Sequence, residues 1–95
     1  MAAYIIADID VLDAARFAEY RAGVPESLVP YGGRFIARGG RVEALEGDWS
    51  PSRLVILKFP SAAQAKAWWD SKEYAELKLL RQAASRGKLL LVEGI

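Results

Sequence analysis

This sequence of 95 residues contains neither histidine nor cysteine, the side chains most often recruited for chemistry at neutral pH. Without Cys there is no disulfide, thiolate nucleophile, iron–sulfur cluster or sulfur-built zinc site. Without His the commonest metal ligand is gone, and so is any Ser-His-Asp or Cys-His arrangement. Acid–base work would fall to an Asp, Glu, Lys or Tyr shifted by its surroundings, or to a cofactor from outside. No bound cofactor or metal is expected. The residues that invite a functional reading are polar ones set in apolar segments. Asp8 is one: it lies in AYIIADI on the parity of Tyr4 and Ile6. If buried, its carboxylate needs a partner such as Arg38 or Lys58, and an exposed strand end is the alternative.

The elements that would position such residues follow from periodicity and punctuation. Ala3 to Ile9 is short, apolar and rich in β-formers, a first strand. Asp13 is placed to cap a helix whose buried face carries Phe17, Tyr20, Val24, Leu28 and Tyr31. Pro25 interrupts that face, so a kink or a break is expected there, and Gly32-Gly33 ends the helix. Arg34 to Arg38 is a second strand. Gly39-Gly40 is either a hairpin turn or, as the four-strand plan favours, a bulge in one long bent strand, with Arg41 to Glu46 extended in both cases. The turn GDWSPS leads into Arg53 to Phe59, the clearest strand. Ser61 and Gln64 form a capping-box signature for a helix through Ala65, Trp68 and Trp69. Ser71 caps a further helix carrying Tyr74, Leu77, Leu80 and Ala84. Gly87 is expected to stop it before a last strand, Lys88 to Glu93. This order is an α+β, ferredoxin-like βαββαβ arrangement with a four-stranded antiparallel sheet, forming one domain over residues 1–95.

Right-handed crossovers put both helical segments on one face of such a sheet, so the other face should read polar. It does not. Leu54 and Ile56 oppose Val55, Leu57 and Phe59; Tyr4 and Ile6 oppose Ala3, Ile5, Ala7 and Ile9; Leu90 and Val92 oppose Leu89 and Leu91. Both faces are apolar and the helices cover one, which predicts a homodimer with sheets face to face. A net charge of +1 and no RNP aromatic pattern argue against nucleic acid as a partner. No apolar stretch is long enough to span a membrane, and the N-terminus lacks the basic start of a signal or transit peptide, which points to the cytoplasm.

The run YGGRFIARGG, then EGDW, RLVILKFPS, and AWWDSKEY with a following Arg, resembles the bacterial family called domain of unknown function 1330. The resemblance extends from Tyr4 to Gly94, and its most specific parts are the double glycines and the W-x-S-x-E-Y segment. It implies a ferredoxin-like fold of the dimeric α/β-barrel superfamily. Members of the family generally have no established activity. The wider superfamily includes cofactor-independent monooxygenases, lactone isomerases, and haem-dependent dismutases and peroxidases, of which the haem branch suits a chain without His or Cys poorly.

Carried over residue by residue, the family pattern implies Glu46 and Tyr74 as catalytic residues, and Arg38, Trp49, Trp69, Ser71 and Arg81 as ligand-binding ones. Arg38 precedes two glycines, where a ligand can approach closely, and offers a fork of donors to a carboxylate or enolate. Glu46 shares the parity of Val42 and Ala44, and burial there would raise its pKa. Trp49 would be a lid or dimer contact. Of the adjacent Trp68 and Trp69, about 100° apart on a helix, one belongs in the core and the other edges a pocket or interface. Each residue also has an ordinary role: ion pairs for Arg38 and Arg81, a turn glutamate, loop packing for Trp49, a helix cap for Ser71, core packing for Tyr74. Two functions fit. One is a cofactor-independent isomerase or monooxygenase-like enzyme, with an Arg holding an anionic or carbonyl group and Glu46 or Tyr74 moving a proton. The other is a non-catalytic ligand-binding or stress-related homodimer.

Overall fold

Three helix starts are fixed by side-chain oxygens. Asp13, Ser61 and Ser71 accept from the backbone N–H groups of Arg16, Gln64 and Tyr74, satisfying donors that a helix start leaves free. In the computed structural model, which describes residues 1–95, strand β1 (Ala3–Val11) leads into α1 (Ala14–Leu28) and a 3-10 turn (Val29–Tyr31). Then come β2 (Arg34–Arg38), β3 (Leu54–Phe59), α2 (Ala62–Trp69), α3 (Lys72–Ala84) and β4 (Ser85–Glu93). The sheet order is β2-β3-β1-β4 with every neighbouring pair antiparallel. This is the ferredoxin-like plan.

All helices lie against one sheet face. Ala3, Ile5, Ala7 and Ile9 of β1 and Val55, Leu57 and Phe59 of β3 are buried there. They meet Phe17, Tyr20, Val24 and Leu28 of α1, Trp68 of α2 and Tyr74 of α3. Trp68 and Trp69 diverge as their helical offset requires. Trp68 is 1% exposed, packs between Phe59 and Tyr74 at 5.6 and 3.9 Å between ring centroids, and donates from Nε1 to Ser27 Oγ. Trp69 is half-buried and borders a groove of about 180 Å³ with Ala65, Leu89 and Leu91.

The opposite face has no cover within the chain. Tyr4, Ile6, Leu54 and Ile56 are only half-buried, while Leu90 is 68% and Val92 46% exposed. The molecule is a slab of 35 × 34 × 16 Å with 6250 Å² of accessible surface. A compact monomer of this mass would expose about 5,400 Å².

Four local expectations need correction. First, α1 continues unbroken through Pro25. Proline has no N–H for the carbonyl four residues back, that of Arg21, and Arg38 supplies the missing donor: its Nη2 lies 2.8 Å from Arg21 O. Second, the bulge falls between Phe35 and Ala37, not at Gly39-Gly40. It shifts the parity of β2, so that Arg38 pairs with Val55 and joins the helix side of the sheet. Third, β2 ends at Arg38, and residues 40–53 form an irregular connection, so Glu46 belongs to no strand face. Fourth, Gly87 lies inside β4; the chain passes from helix to strand at Ser85.

Replacing Pro25 with Ala restores the helical N–H to a carbonyl already satisfied by Arg38. The expected result is an unfolding free energy higher by about 1–3 kcal/mol in urea titration. A decrease would mean that the rigidity proline lends the unfolded chain outweighs the helical bond.

Candidate functional site

Between the sheet and α1 lies a cavity of about 30 Å³, walled by Ile5, Ala7, Ile9, Val24, Val55 and Leu57. Its deeper lining includes Tyr20, Trp68 and Tyr74; Arg21, Arg38 and Arg53 also border it. Arg21 and Arg38 are exposed and Arg53 half-buried, which marks the arginine side as the mouth. Such a void holds one water-sized group. A single ligand oxygen fits within it while the body carrying it rests at the mouth.

The tyrosines come from two helices. Their hydroxyls are 2.9 Å apart, and Arg81 donates from Nε to Tyr74 Oη at 3.4 Å. Two hydroxyl protons share one mutual hydrogen bond, so one proton is left to donate to a ligand oxygen. Burial, reinforced by the neighbouring Tyr74, pushes the Tyr20 phenol far above its ordinary value of 10.0, and Arg81 opposes this less strongly. Tyr20 therefore stays protonated at neutral pH and acts as a hydrogen-bond donor, not a base.

Arg81 is 3% exposed, although its place on a helix reads as a surface position. Gly87 makes the room: a Cβ there would come within 3.2 Å of Arg81 Nη1. Ser71 caps α3, and its Oγ also donates to Trp68 O, tying α3 to α2 one turn before Tyr74. Trp69 packs against Tyr74 at 5.9 Å between ring centroids and carries Lys78 Nζ over its face at 4.2 Å. The structure thus brings Arg38 and Tyr74 to the cavity and sets Arg81, Ser71 and Trp69 behind Tyr74. It does not bring Glu46 or Trp49 there. Glu46 is exposed on the 40–53 connection, and Trp49 donates from Nε1 to Asp8 Oδ2 at 3.0 Å. Asp8 borders a separate polar cleft with Asp10, Ser50, Ser52, Arg86 and Lys88. No three carboxylates converge to hold a metal ion.

Two cavity arginines and one tyrosine were absent from the sequence-derived set. Arg53 was legible, since it shares the parity of Val55, Leu57 and Phe59 and so faces the helices. Tyr20 stood on the buried face of α1 with a hydroxyl needing a partner. Arg21 carried no such signal: it is exposed and stands beside the buried Phe17, Tyr20 and Val24 face of α1.

The family described as domain of unknown function (DUF1330) matches residues 2–95. No curated protein matches the sequence. Among solved structures, a protein of unknown function from Rhodopseudomonas palustris is similar over 99% of this chain and 82% of its own, at 19% identity and a TM-score of 0.80. A dimeric ferredoxin-like protein of unknown function from Jannaschia sp. CCS1 covers 99% of this chain and 100% of its own, at 15% identity and a TM-score of 0.71. SnoaB, a cofactor-independent oxygenase from Streptomyces nogalater, covers 99% and 93%, at 10% identity and a TM-score of 0.67. At these identities the likeness is one of fold.

The Tyr20 environment has a measurable consequence. A phenol whose folded pKa lies above its unfolded one contributes stability that is complete below pH 10.0 and is lost as pH rises beyond it. Between pH 8 and pH 11 the wild type should lose more stability than Tyr20→Phe in urea titrations, by on the order of 1 kcal/mol. Equal losses would place the hydroxyl in a wetter setting than the one described.

Proposed function

This chain belongs to the DUF1330 family, and from that premise we propose that it is a cofactor-independent enzyme acting on a small, largely apolar molecule with an anionic or carbonyl oxygen. The observation that carries the reading is the uncommitted proton of the buried Tyr20–Tyr74 pair, set in an apolar cavity with Arg81 behind it. A fixed donor in a dry site stabilises negative charge as it develops on a substrate oxygen. Isomerisation through an enolate and substrate-assisted oxygenation both pass through such an oxyanion. The likeness to a cofactor-independent oxygenase supports the reading at the level of fold. In it Tyr74 is the catalytic donor. Arg81, Ser71 and Trp69 hold it in place, Arg38 borders the entrance, and Glu46 and Trp49 have no role within one protomer.

Binding without turnover is the second reading, favoured by one observation: Tyr20, the cavity tyrosine whose titration is displaced, moves away from neutrality. The substrate would then have to supply its own base, or none would be needed.

The active unit in this reading is a homodimer joined through the open sheet face. Leu90, Val92, Ile56 and Ile6 form an apolar surface that water would otherwise wet. The dimeric state of the Jannaschia protein supports this at the level of fold.

Oxygen uptake and ultraviolet spectra with a panel of phenols and enolisable ketones test the catalytic reading. Tyr74→Phe should lower turnover of any responsive substrate by about 100-fold or more, the size of a lost oxyanion donor. Unchanged turnover would remove Tyr74 from the chemistry. For the assembly, Leu90→Glu should convert a dimer into a monomer by light scattering, and a wild type that is monomeric at micromolar concentration would refute it.

A further inference from the structure

Arg53 has an unusual position for an arginine. Its side chain leaves the start of β3 towards the helices, anchored at the backbone by Ile9 N–H donating to Arg53 O at 2.9 Å. Its guanidinium rests over Gly39, where an added Cβ would overlap Arg53 Nη1. Gly39 has φ +69°, so a residue with a side chain would be both strained and in collision. The missing side chain leaves the space in which the Arg53 guanidinium rests. Yet Arg53 Nε is buried and has no hydrogen-bond partner. A buried donor left without an acceptor is unfavourable, and a charged one more so.

The neighbouring charges sharpen the point. Those acting on Arg53 are Arg21 and Arg38, both of its own sign, together with Tyr20; no carboxylate is among them. Arg38 is held by its bond to Arg21 O and by stacking over Phe35, with 4.2 Å from Cζ to the ring centroid. Arg53 lies over Phe17 at 5.5 Å. Three guanidinium groups thus border one small apolar cavity without a counter-charge, and one has a buried donor edge free. Like charges so placed repel, and an anion between them removes the repulsion while meeting the free donor.

We propose that the mouth of the cavity is a carboxylate seat, in which Arg53 is the specificity-determining residue and Arg21 and Arg38 supply supporting charge. The ligand class is a monocarboxylate carried on an apolar, preferably aromatic, body. The void of about 30 Å³ admits one carboxylate oxygen and no ring, so the apolar body rests at the mouth beside Phe35, against a lining that is almost wholly hydrocarbon and aromatic. A phosphate ester on a polar body would leave that lining unmatched. This assignment rests on the functional reading above, since it names the substrate class of the same cavity.

Benzoate and benzamide provide the test, because they share shape and differ in charge. Binding to the full chain at low chloride is followed by calorimetry and by tryptophan fluorescence, Trp68 being part of the cavity wall. Benzoate should bind at least about tenfold more tightly than benzamide, and inorganic phosphate should compete poorly. Arg53→Met should abolish the preference without lowering the melting temperature, since it removes an orphaned donor and a repelled charge; Arg53→Lys should retain a reduced preference. A structural arginine would instead lower the melting temperature and leave the preference intact, which overturns the assignment. Equal affinity of benzoate and benzamide, with fluorescence responding to both, overturns the carboxylate seat but leaves the cavity as a ligand site. No response to either overturns both.

Discussion

The hydrogen bond from Arg38 to the carbonyl of Arg21 holds together choices made in three separate parts of the chain. Pro25 removes an amide proton from the middle of α1 and leaves a carbonyl without its helical donor. The bulge at Ile36 turns Arg38 towards the helices, and the guanidinium meets that carbonyl at 2.8 Å. Helix, bulge and arginine therefore explain one another. The same contact sets the position of the guanidinium at the cavity entrance and clamps β2, an edge strand, to α1, with which the connectivity gives it no other polar tie of this kind.

The polar groups of the cavity sit at two levels with different electrostatic character. Behind the floor, Arg81 lies almost wholly enclosed, beside two phenols and near the Trp69 indole. Cation–aromatic attraction and one hydrogen bond offset part of its desolvation. At the mouth, three cations share water on one side and hydrocarbon on the other, and mutual repulsion adds to the burial of Arg53. Natural folds carry such unfavourable arrangements where binding or catalysis gains from them, and the surrounding core has to over-determine the geometry. Here that role falls to the Phe59–Trp68–Tyr74 stack, which joins β3, α2 and α3.

What the sequence disclosed and what it concealed divide along the range of the interactions. Caps at Asp13, Ser61 and Ser71 act over three residues, so the motif and the contact coincide. Strand alternation is equally local, and it reveals the second apolar face through Leu54, Ile56, Leu90 and Val92. Even so, the capping box at Ser61 is half formed: Gln64 sends its side chain to Tyr31 O, across to the 3-10 turn that follows α1. Failures came where a distant group decides a local outcome. The double glycine at 39–40 looked like the site of a register change, but Gly39 serves Arg53 and the change lies at Ile36. Gly87 looked like a helix stop, but its missing side chain makes room for Arg81, six residues earlier. Arg81 looked solvated for the same reason. Of the cavity lining, Tyr74 follows the helical periodicity of α3, Arg38 reaches it only through the bulge, and Glu46 stands on an irregular connection where a strand was expected.

The bulge at Ile36 also bears on how lineages of this fold can change. A substitution that let Ile36 enter the ladder opposite Ile56 would invert the facing of everything between it and the following loop, whereas deleting that residue leaves the pairs Ala37–Ile56 and Arg38–Val55 as they are. In the first case Arg38 would move to the open apolar face, leaving the Arg21 carbonyl bare and placing a cation where leucines and isoleucines gather. The 40–53 connection, free of any ladder, can gain or lose residues with little effect on either layer. Length variation among descendants should therefore accumulate in that connection and, within β2, be tolerated only at the bulge itself.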